Sequence, residues 1–255
     1  MLGWALDLFI RYAIKPCSWI FLAGTAWHAF KRWLTRSIAR HMIKPKGVMF
    51  GSAICTGIIQ YSYSDQVEWV VSLVPFSPGA VILDIGAGCG NALKPIMKRF
   101  EELSKQNNWT RGTVHAVDWS QPMVEHLETV VLDEKHSNKE VIIHQADAKE
   151  LPFTSAFASV SLMLNIVHLM SREDALLALA EARRVLAPGG CLVVSSNSPR
   201  SLLSNDYVQA GLLSGKFIIY SEAELEALIV GAGFVEPQKY HNSELDAFVV
   251  MVTRP

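Results

Sequence analysis

Residues 81–91 read Val-Ile-Leu-Asp-Ile-Gly-Ala-Gly-Cys-Gly-Asn, an apolar run followed at once by three glycines on alternate positions. The first five residues are typical of a buried strand. Gly86, Gly88 and Gly90 allow a sharp turn and a close approach of the backbone to a ligand. In a parallel sheet such a turn lies at the carboxyl end of its strand, so we expect a ligand at the mouth of the following helix.

Strand-like and helix-like segments alternate after this turn, a pattern that predicts parallel strands joined by crossover helices. The predicted strands are 81–85, 113–117, 141–143, 158–164, 191–195, 234–240 and 247–252, the last two as a hairpin. The predicted helices are 91–103, one that begins after Ser120, 172–186, and one from the Ser221 capping box to 231–233. The expected fold is therefore a Rossmann-like α/β domain with a seven-stranded, mostly parallel sheet, an antiparallel C-terminal hairpin, helices on both faces and an N-terminal helical extension.

The ligand chemistry follows from the acids around the turn. Asp84 lies two residues before the first glycine, where a carboxylate can receive a ligand ammonium group but sits poorly beside a pyrophosphate. Asn91 also stands where the dinucleotide pattern requires Gly or Ala. The turn therefore favours the cationic S-adenosylmethionine over NAD.

The sequence resembles the class I S-adenosylmethionine-dependent methyltransferases, whose glycine motif reads Asp-x-Gly-x-Gly-x-Gly and is matched in full by residues 84–90. The resemblance extends over roughly residues 65–255 and is greatest to the small-molecule methyltransferases of ubiquinone and menaquinone biosynthesis and of secondary (natural-product) metabolism. It implies S-adenosyl-L-methionine as cofactor and S-adenosyl-L-homocysteine as product.

The resemblance also implies roles for individual residues. Asp118, which ends the second strand, is expected to accept the ribose hydroxyls, and Asp147 is expected to meet the adenine amino group. The full predicted cofactor set is Asp84, Gly86, Ala87, Gly88, Gly90, Asp118, Trp119, Met123, Asp147, Ala148 and Asn165.

Methyl transfer from a sulfonium is an in-line displacement that depends on alignment, and a base is needed only if the acceptor retains a proton. His168 is the candidate base because imidazole titrates near neutrality, although it can equally stabilise the turn after the fourth strand. Tyr61, Tyr63, His168 and Asn197 are the predicted substrate contacts. The remaining histidines lack metal-ligand spacing, so no metal site is expected.

The first 46 residues carry eight basic residues and one acid, and they hold four of the seven tryptophans. The 15-residue uncharged run between Lys15 and Lys31 is shorter than the about 20 apolar residues of a membrane span. Arg32, Arg36 and Arg40 align on one helix face, opposite apolar residues. We therefore predict that residues 1–60 form a basic helical extension, as a membrane-interface anchor, a lid or both, beside a methyltransferase domain over 61–255.

The expected function is methyl transfer to an O, N or C atom of a lipophilic small molecule, by an intracellular protein in peripheral contact with a membrane. The alternatives are a non-catalytic S-adenosylmethionine-binding subunit that docks a partner through its N-terminal helices, and a nicotinamide-dependent oxidoreductase. Asp84, the third loop glycine and the lack of a Tyr-x-x-x-Lys pair disfavour the oxidoreductase. A nucleic-acid partner is not expected, because the basic residues of the N-terminal segment alternate with Trp and Leu. The sequence predicts no particular oligomeric state.

Overall fold

The computed structural model describes residues 60–105, 109–133, 140–199 and 218–255, without the side chains of 60–63 and 130–133. The predicted basic helices of the N-terminal extension lie outside these ranges. The boundary between the extension and the methyltransferase domain therefore stays a prediction.

Five helices and seven strands make up the described part. The helices are α1 (Gln60–Leu73), α2 (Leu93–Ser104), α3 (Gln121–Asp133), α4 (Arg172–Val185) and α5 (Glu222–Gly231), with a short 3₁₀ helix at Val167–Leu169. The strands are β1 (Val81–Ile85), β2 (Thr113–Asp118), β3 (Val141–Gln145), β4 (Ala158–Leu164), β5 (Leu186–Asn197), β6 (Val235–Asn242) and β7 (Ala247–Thr253). Each predicted strand is present.

All seven strands form one sheet in the order β3-β2-β1-β4-β5-β7-β6. The first five strands pair in parallel, while β7 is antiparallel to both β5 and β6. The chain runs outward from β1 to β3 and then returns to place β4 on the other side of β1. The carboxyl ends of β1 and β4 thus border the point at which the strand order reverses, which is where ligands bind in open α/β sheets. The predicted fold class is confirmed.

The helices cover both faces of the sheet because each presents an apolar stripe. On one face lie buried residues of α1, α2 and α3, including Val70, Phe100 and Leu127. On the other face lie α4 and α5, with Leu179 and Ile229 in the core. Among the residues that the structure describes, no helix combines the length and the apolar character that crossing a membrane requires.

The junction between α4 and β5 differs from the prediction. We expected Pro188-Gly189-Gly190 to separate the helix from a strand that begins at Cys191, but β5 begins at Leu186, directly after the helix. The Gly189 N–H donates to the Arg254 carbonyl and the Arg254 N–H donates to the Gly190 carbonyl, both at 2.9 Å. The turn is therefore a bulge inside β5, stabilised by the C-terminal residues, and the predicted start of the strand was wrong.

Candidate functional site

The glycine turn lies at the carboxyl end of β1, and its three alternate glycines have φ angles of +75°, +53° and +78°. A Cβ on Gly86 would lie 2.7 Å from Ile166 Cγ2, and one on Gly90 would lie 2.9 Å from Leu127 Cδ2. Gly88 differs, because the nearest atom to its Cβ position is a backbone oxygen at 3.9 Å. Two of the glycines thus allow close packing, while the middle one faces open space.

Hydrogen bonds hold the turn against the end of β2. The Gly86 and Ala87 N–H groups both donate to the Val117 carbonyl, at 2.8 and 2.9 Å. The Gly88 N–H donates to Asp118 Oδ2 at 2.9 Å, and the Ser120 N–H donates to Asp118 Oδ1 at the same distance. A backbone hydrogen bond from Trp119 also reaches this carboxylate, so the backbone holds Asp118 in place.

Asp84 and Asp118 form a buried acidic pair beside this turn, with 2% and 7% of their surface exposed. Burial, and secondarily the charge of Asp118, raises the pKa of Asp84 from 3.8 to about 7. Burial also raises the pKa of Asp118, against the opposing effect of its backbone hydrogen bonds. Two neighbouring carboxyl groups that are both removed from water favour a cationic ligand group, since a positive charge stabilises their ionised forms.

The rim of the site is formed by residues that follow β2 and β3. Trp119 is 43% exposed, while Met123, in the first turn of α3, is buried. The Ala146 N–H donates to the Asp118 carbonyl at 3.1 Å, so the loop after β3 begins beside the acidic pair. Asp147 and Ala148 are the next residues of this loop. The structure thus brings most of the predicted cofactor set to one edge of the sheet.

The loop that carries Asp147 is fixed to α4 at both ends of the helix. Near the start of α4, Lys149 Nζ donates to Asp174 Oδ1 at 2.9 Å. Near its end, Arg184 donates to the carbonyls of Phe153 and Leu151 at 2.7 and 3.0 Å.

Glu181 completes the attachment at the second end. It accepts from the Leu151 N–H at 2.9 Å and pairs with the Arg184 guanidinium. This Glu181–Arg184 clamp was not predicted from the sequence. Their spacing of three residues on a predicted helix was the available signal, but it did not reveal the loop carbonyls that the arginine binds.

Asn165 follows β4 directly and has a φ of +57°, in the left-handed region. Its side chain forms a reciprocal amide pair with Gln66 of α1: Asn165 Nδ2 donates to Gln66 Oε1 at 3.1 Å, and Gln66 Nε2 donates to Asn165 Oδ1 at 3.3 Å. Gln66 is only 3% exposed and was not predicted. Its signal was a polar residue inside the apolar stripe of Val67, Val70 and Val74.

His168 lies in the 3₁₀ helix after β4 and is 6% exposed. Burial lowers its pKa to about 4, so the imidazole is neutral at pH 7 and is a weak base. Its carbonyl accepts a hydrogen bond from the Ile218 N–H at 2.9 Å. These contacts place His168 inside the fold, and the general-base role stays a prediction.

The predicted substrate contacts lie on α1 and at the end of β5. Tyr61 and Tyr63 belong to the first turn of α1, and their side chains are outside the described part. Asn197 is the last residue of β5 and is 7% exposed. Among the described residues, its Oδ1 has no hydrogen-bond partner, and neither does the Oγ of the buried Ser195, which was not predicted.

This sheet order, with a glycine turn and an acidic pair at the switch point, is the architecture of a class I methyltransferase. Residues 82–190 match the family described as "Methyltransferase domain". Residues 82–190 are therefore similar to the S-adenosylmethionine-dependent methyltransferases, and S-adenosylmethionine is the cofactor that this family and fold imply.

Three similar proteins illustrate the relationship. The chain is 32% identical to the malonyl-[acyl-carrier protein] O-methyltransferase of Xylella fastidiosa, over 48% of this chain and 37% of that protein. It is 26% identical to the ubiquinone/menaquinone biosynthesis C-methyltransferase UbiE of Caulobacter vibrioides, over 64% and 60% respectively. An S-adenosylmethionine-dependent methyltransferase structure from Aquifex aeolicus superposes with a TM-score of 0.57 at 21% identity, over 74% and 89%. The chain spans less than two thirds of these curated relatives.

Proposed function

We propose that this protein transfers a methyl group from S-adenosylmethionine to a lipophilic small molecule. The observation that carries the proposal is the buried acidic pair of Asp84 and Asp118 beside the open side of Gly88. The two carboxyl groups favour a cationic ligand, and the space at Gly88 admits it against the backbone. A pyrophosphate would instead face two acids at close range.

The residues present fit the cofactor. Asp84 would receive the cationic part of the ligand, and Asp118, which the backbone holds in place, would accept from the ribose hydroxyls. The adenine would be bordered by Trp119, Met123, Asp147 and Ala148. The backbone of Gly86, Ala87, Gly88 and Gly90 lies against the ligand, and Asn165 closes the pocket on the β4 side.

When bound, the cofactor supplies a methyl group activated by the sulfonium charge. The role of the chain is then to hold the acceptor in line with that methyl group and to exclude water. The Gln66–Asn165 pair fixes helix α1 against the end of β4, where the acceptor must approach. His168 is neutral at pH 7 and is a weak base. An acceptor that carries a proton must therefore be acidic enough to release it to water or to His168.

The acceptor atom is O, N or C. The names of the two curated relatives above specify O-methylation and C-methylation, so the shared domain does not select the atom. The lipophilic acceptor and the peripheral membrane contact are proposed from the Trp-rich, basic residues 1–46. On this proposal the protein works inside the cell at an anionic membrane surface.

Calorimetry on the purified chain tests the cofactor. We expect heat of binding with S-adenosylmethionine and S-adenosylhomocysteine and none with NAD. Binding of NAD without binding of S-adenosylmethionine would refute the proposal. Release of S-adenosylhomocysteine in the presence of a quinol or phenol panel then separates an enzyme from a non-catalytic binding subunit.

Liposome flotation tests the membrane contact independently. The full chain is expected to float with vesicles that contain phosphatidylglycerol and to stay behind with pure phosphatidylcholine. The matched control is a triple variant, Arg32→Gln, Arg36→Gln and Arg40→Gln, which is expected to float less. Equal flotation of parent and variant, or no flotation, would contradict the membrane proposal and leave the cofactor proposal unaffected.

A further inference from the structure

Four polar residues lie where helix α1 meets the carboxyl ends of β4 and β5; we call Gln66, Asn165, Ser195 and Asn197 the amide–serine cluster. Val193 is buried in the core on the α1 side of the sheet. Because side chains alternate along a strand, Ser195 and Asn197 point to the same side as Val193. The Asn165 N–H donates to the Ser195 carbonyl at 3.1 Å, which joins the ends of β4 and β5.

The hydrogen bonding within this cluster is uneven. Gln66 and Asn165 satisfy each other through their two amide hydrogen bonds. Ser195 Oγ and Asn197 Oδ1 are buried without a partner in the part of the chain that the structure describes, and their residues are 1% and 7% exposed. Unpartnered buried polar atoms reduce stability, and where a native fold retains them they are often part of a functional site.

We propose that Asn197 Oδ1 and Ser195 Oγ bind the methyl acceptor, and that they select an acceptor with a hydroxyl or N–H group on an apolar body. The inference rests on the proposed methyltransferase function and names the substrate class of that same site. An amide oxygen can only accept a hydrogen bond, so the ligand must donate one. The neighbouring Val67 and Val249 are apolar and buried, so the rest of the ligand must be apolar too.

The position of the cluster agrees with this role. Asn165 is the residue directly before Ile166, whose side chain contacts the glycine turn at Gly86. An acceptor held by Asn197 therefore lies at the same edge of the sheet as the proposed cofactor site, on the side covered by α1.

The test uses phenol as the minimal probe and anisole as its counterpart without the O–H group. Both are added to the full chain in the presence of saturating S-adenosylhomocysteine, and binding is measured by ligand-observed NMR. For so small a ligand we expect phenol to bind with a Kd of about 1 mM. Anisole and the Asn197→Leu variant are each expected to weaken binding about ten-fold or more.

Ser161→Ala is the matched control, because Ser161 Oγ is also buried and has no partner among the described residues. Ser161 alternates with Leu162, which lies in the core on the α1 side, so its hydroxyl points to the opposite face. The control should therefore bind phenol like the parent. Asn197→Leu should also keep or raise the thermal midpoint, since it removes an unpartnered acceptor. If that variant does not fold, Ser195→Ala gives the same comparison with a smaller change.

Equal binding of anisole and phenol, unchanged binding by Asn197→Leu or Ser195→Ala, or binding of neither probe would overturn the inference. The proposed function fails separately. If the chain does not bind S-adenosylhomocysteine in calorimetry, the methyltransferase proposal is refuted. If it binds S-adenosylhomocysteine but does not prefer phenol to anisole, only the acceptor subsite is refuted.

Discussion

The ionisation of Asp84 produces a pH dependence of stability that one substitution should remove. Its pKa is raised from 3.8 to about 7 by burial and by the charge of Asp118. Between these values the folded protein holds a proton that the unfolded chain has released, so the free energy of unfolding falls as the pH rises. The shift is about 3 pKa units, and at about 1.36 kcal/mol per unit it amounts to about 4 kcal/mol above pH 7.

Asp84→Asn replaces the carboxyl group with a similar shape that does not ionise. The variant should become more stable than the parent as the pH rises from 4 to 7, by up to about 4 kcal/mol at pH 8. Urea denaturation of the ligand-free protein at several pH values measures this difference. Asp65→Asn, at an exposed position on α1, is the control, and its free energy of unfolding should stay close to that of the parent at each pH.

Cofactor binding should change in the opposite direction. A hydrogen bond between a carboxylate and a ligand cation contributes about 1.5–3 kcal/mol, so Asp84→Asn should bind S-adenosylmethionine about ten- to a hundred-fold more weakly at pH 8. Calorimetry on both proteins gives the ratio. If the variant has the same pH dependence of stability and the same affinity for S-adenosylmethionine as the parent, Asp84 neither titrates with a raised pKa nor contacts the cofactor.

Four further substitutions test other parts of the site. Gly86→Ala should lower stability by about 1–3 kcal/mol in chemical denaturation, because its Cβ would meet Ile166 at 2.7 Å and its φ is +75°; unchanged stability would contradict the packing. Arg184→Met should raise the Kd for S-adenosylmethionine several-fold in calorimetry by freeing the Asp147 loop, and an unchanged Kd would show that the clamp is dispensable. His115, a buried residue of β2, has its pKa lowered to about 4 by burial and by the charge of His144, so between pH 6.5 and 4 the unfolded chain binds a proton that the folded protein does not; His115→Phe should therefore reduce the loss of stability over this pH range. His168→Gln should leave the pH profile of turnover unchanged if the imidazole only supports the 3₁₀ helix, whereas loss of a titrating limb would establish the base.

The sheet and the cofactor edge were predictable because short-range chemistry determines them. The bounds of β1 and β4 agree with the prediction to the residue, since each is a mainly apolar segment beside a turn signal. The capping box at Ser221 and Glu224 is also confirmed, because it depends on two residues three apart. Asp118 was placed from its position at a strand end, and the structure puts it beside Gly88.

The features that were missed depend on contacts between distant parts of the chain. Gln66 and Asn165 are 99 residues apart, and no local pattern indicates that their amides pair. The bulge at Gly189 requires the backbone of Arg254 as a hydrogen-bond partner, so Pro-Gly-Gly read alone predicts an ordinary turn. Burial decides the ionisation of His168, and the sequence alone shows only that the residue follows a strand.

The amide pair has a consequence for how the binding of cofactor and acceptor is coupled. Gln66 holds Asn165, and the next residue, Ile166, packs against Gly86, so one continuous chain of contacts joins α1 to the glycine turn. A ligand that fixes either end of this chain restricts the other end as well. Thermodynamic linkage is reciprocal, so we expect the occupied cofactor site to strengthen acceptor binding by the same factor by which the acceptor strengthens cofactor binding.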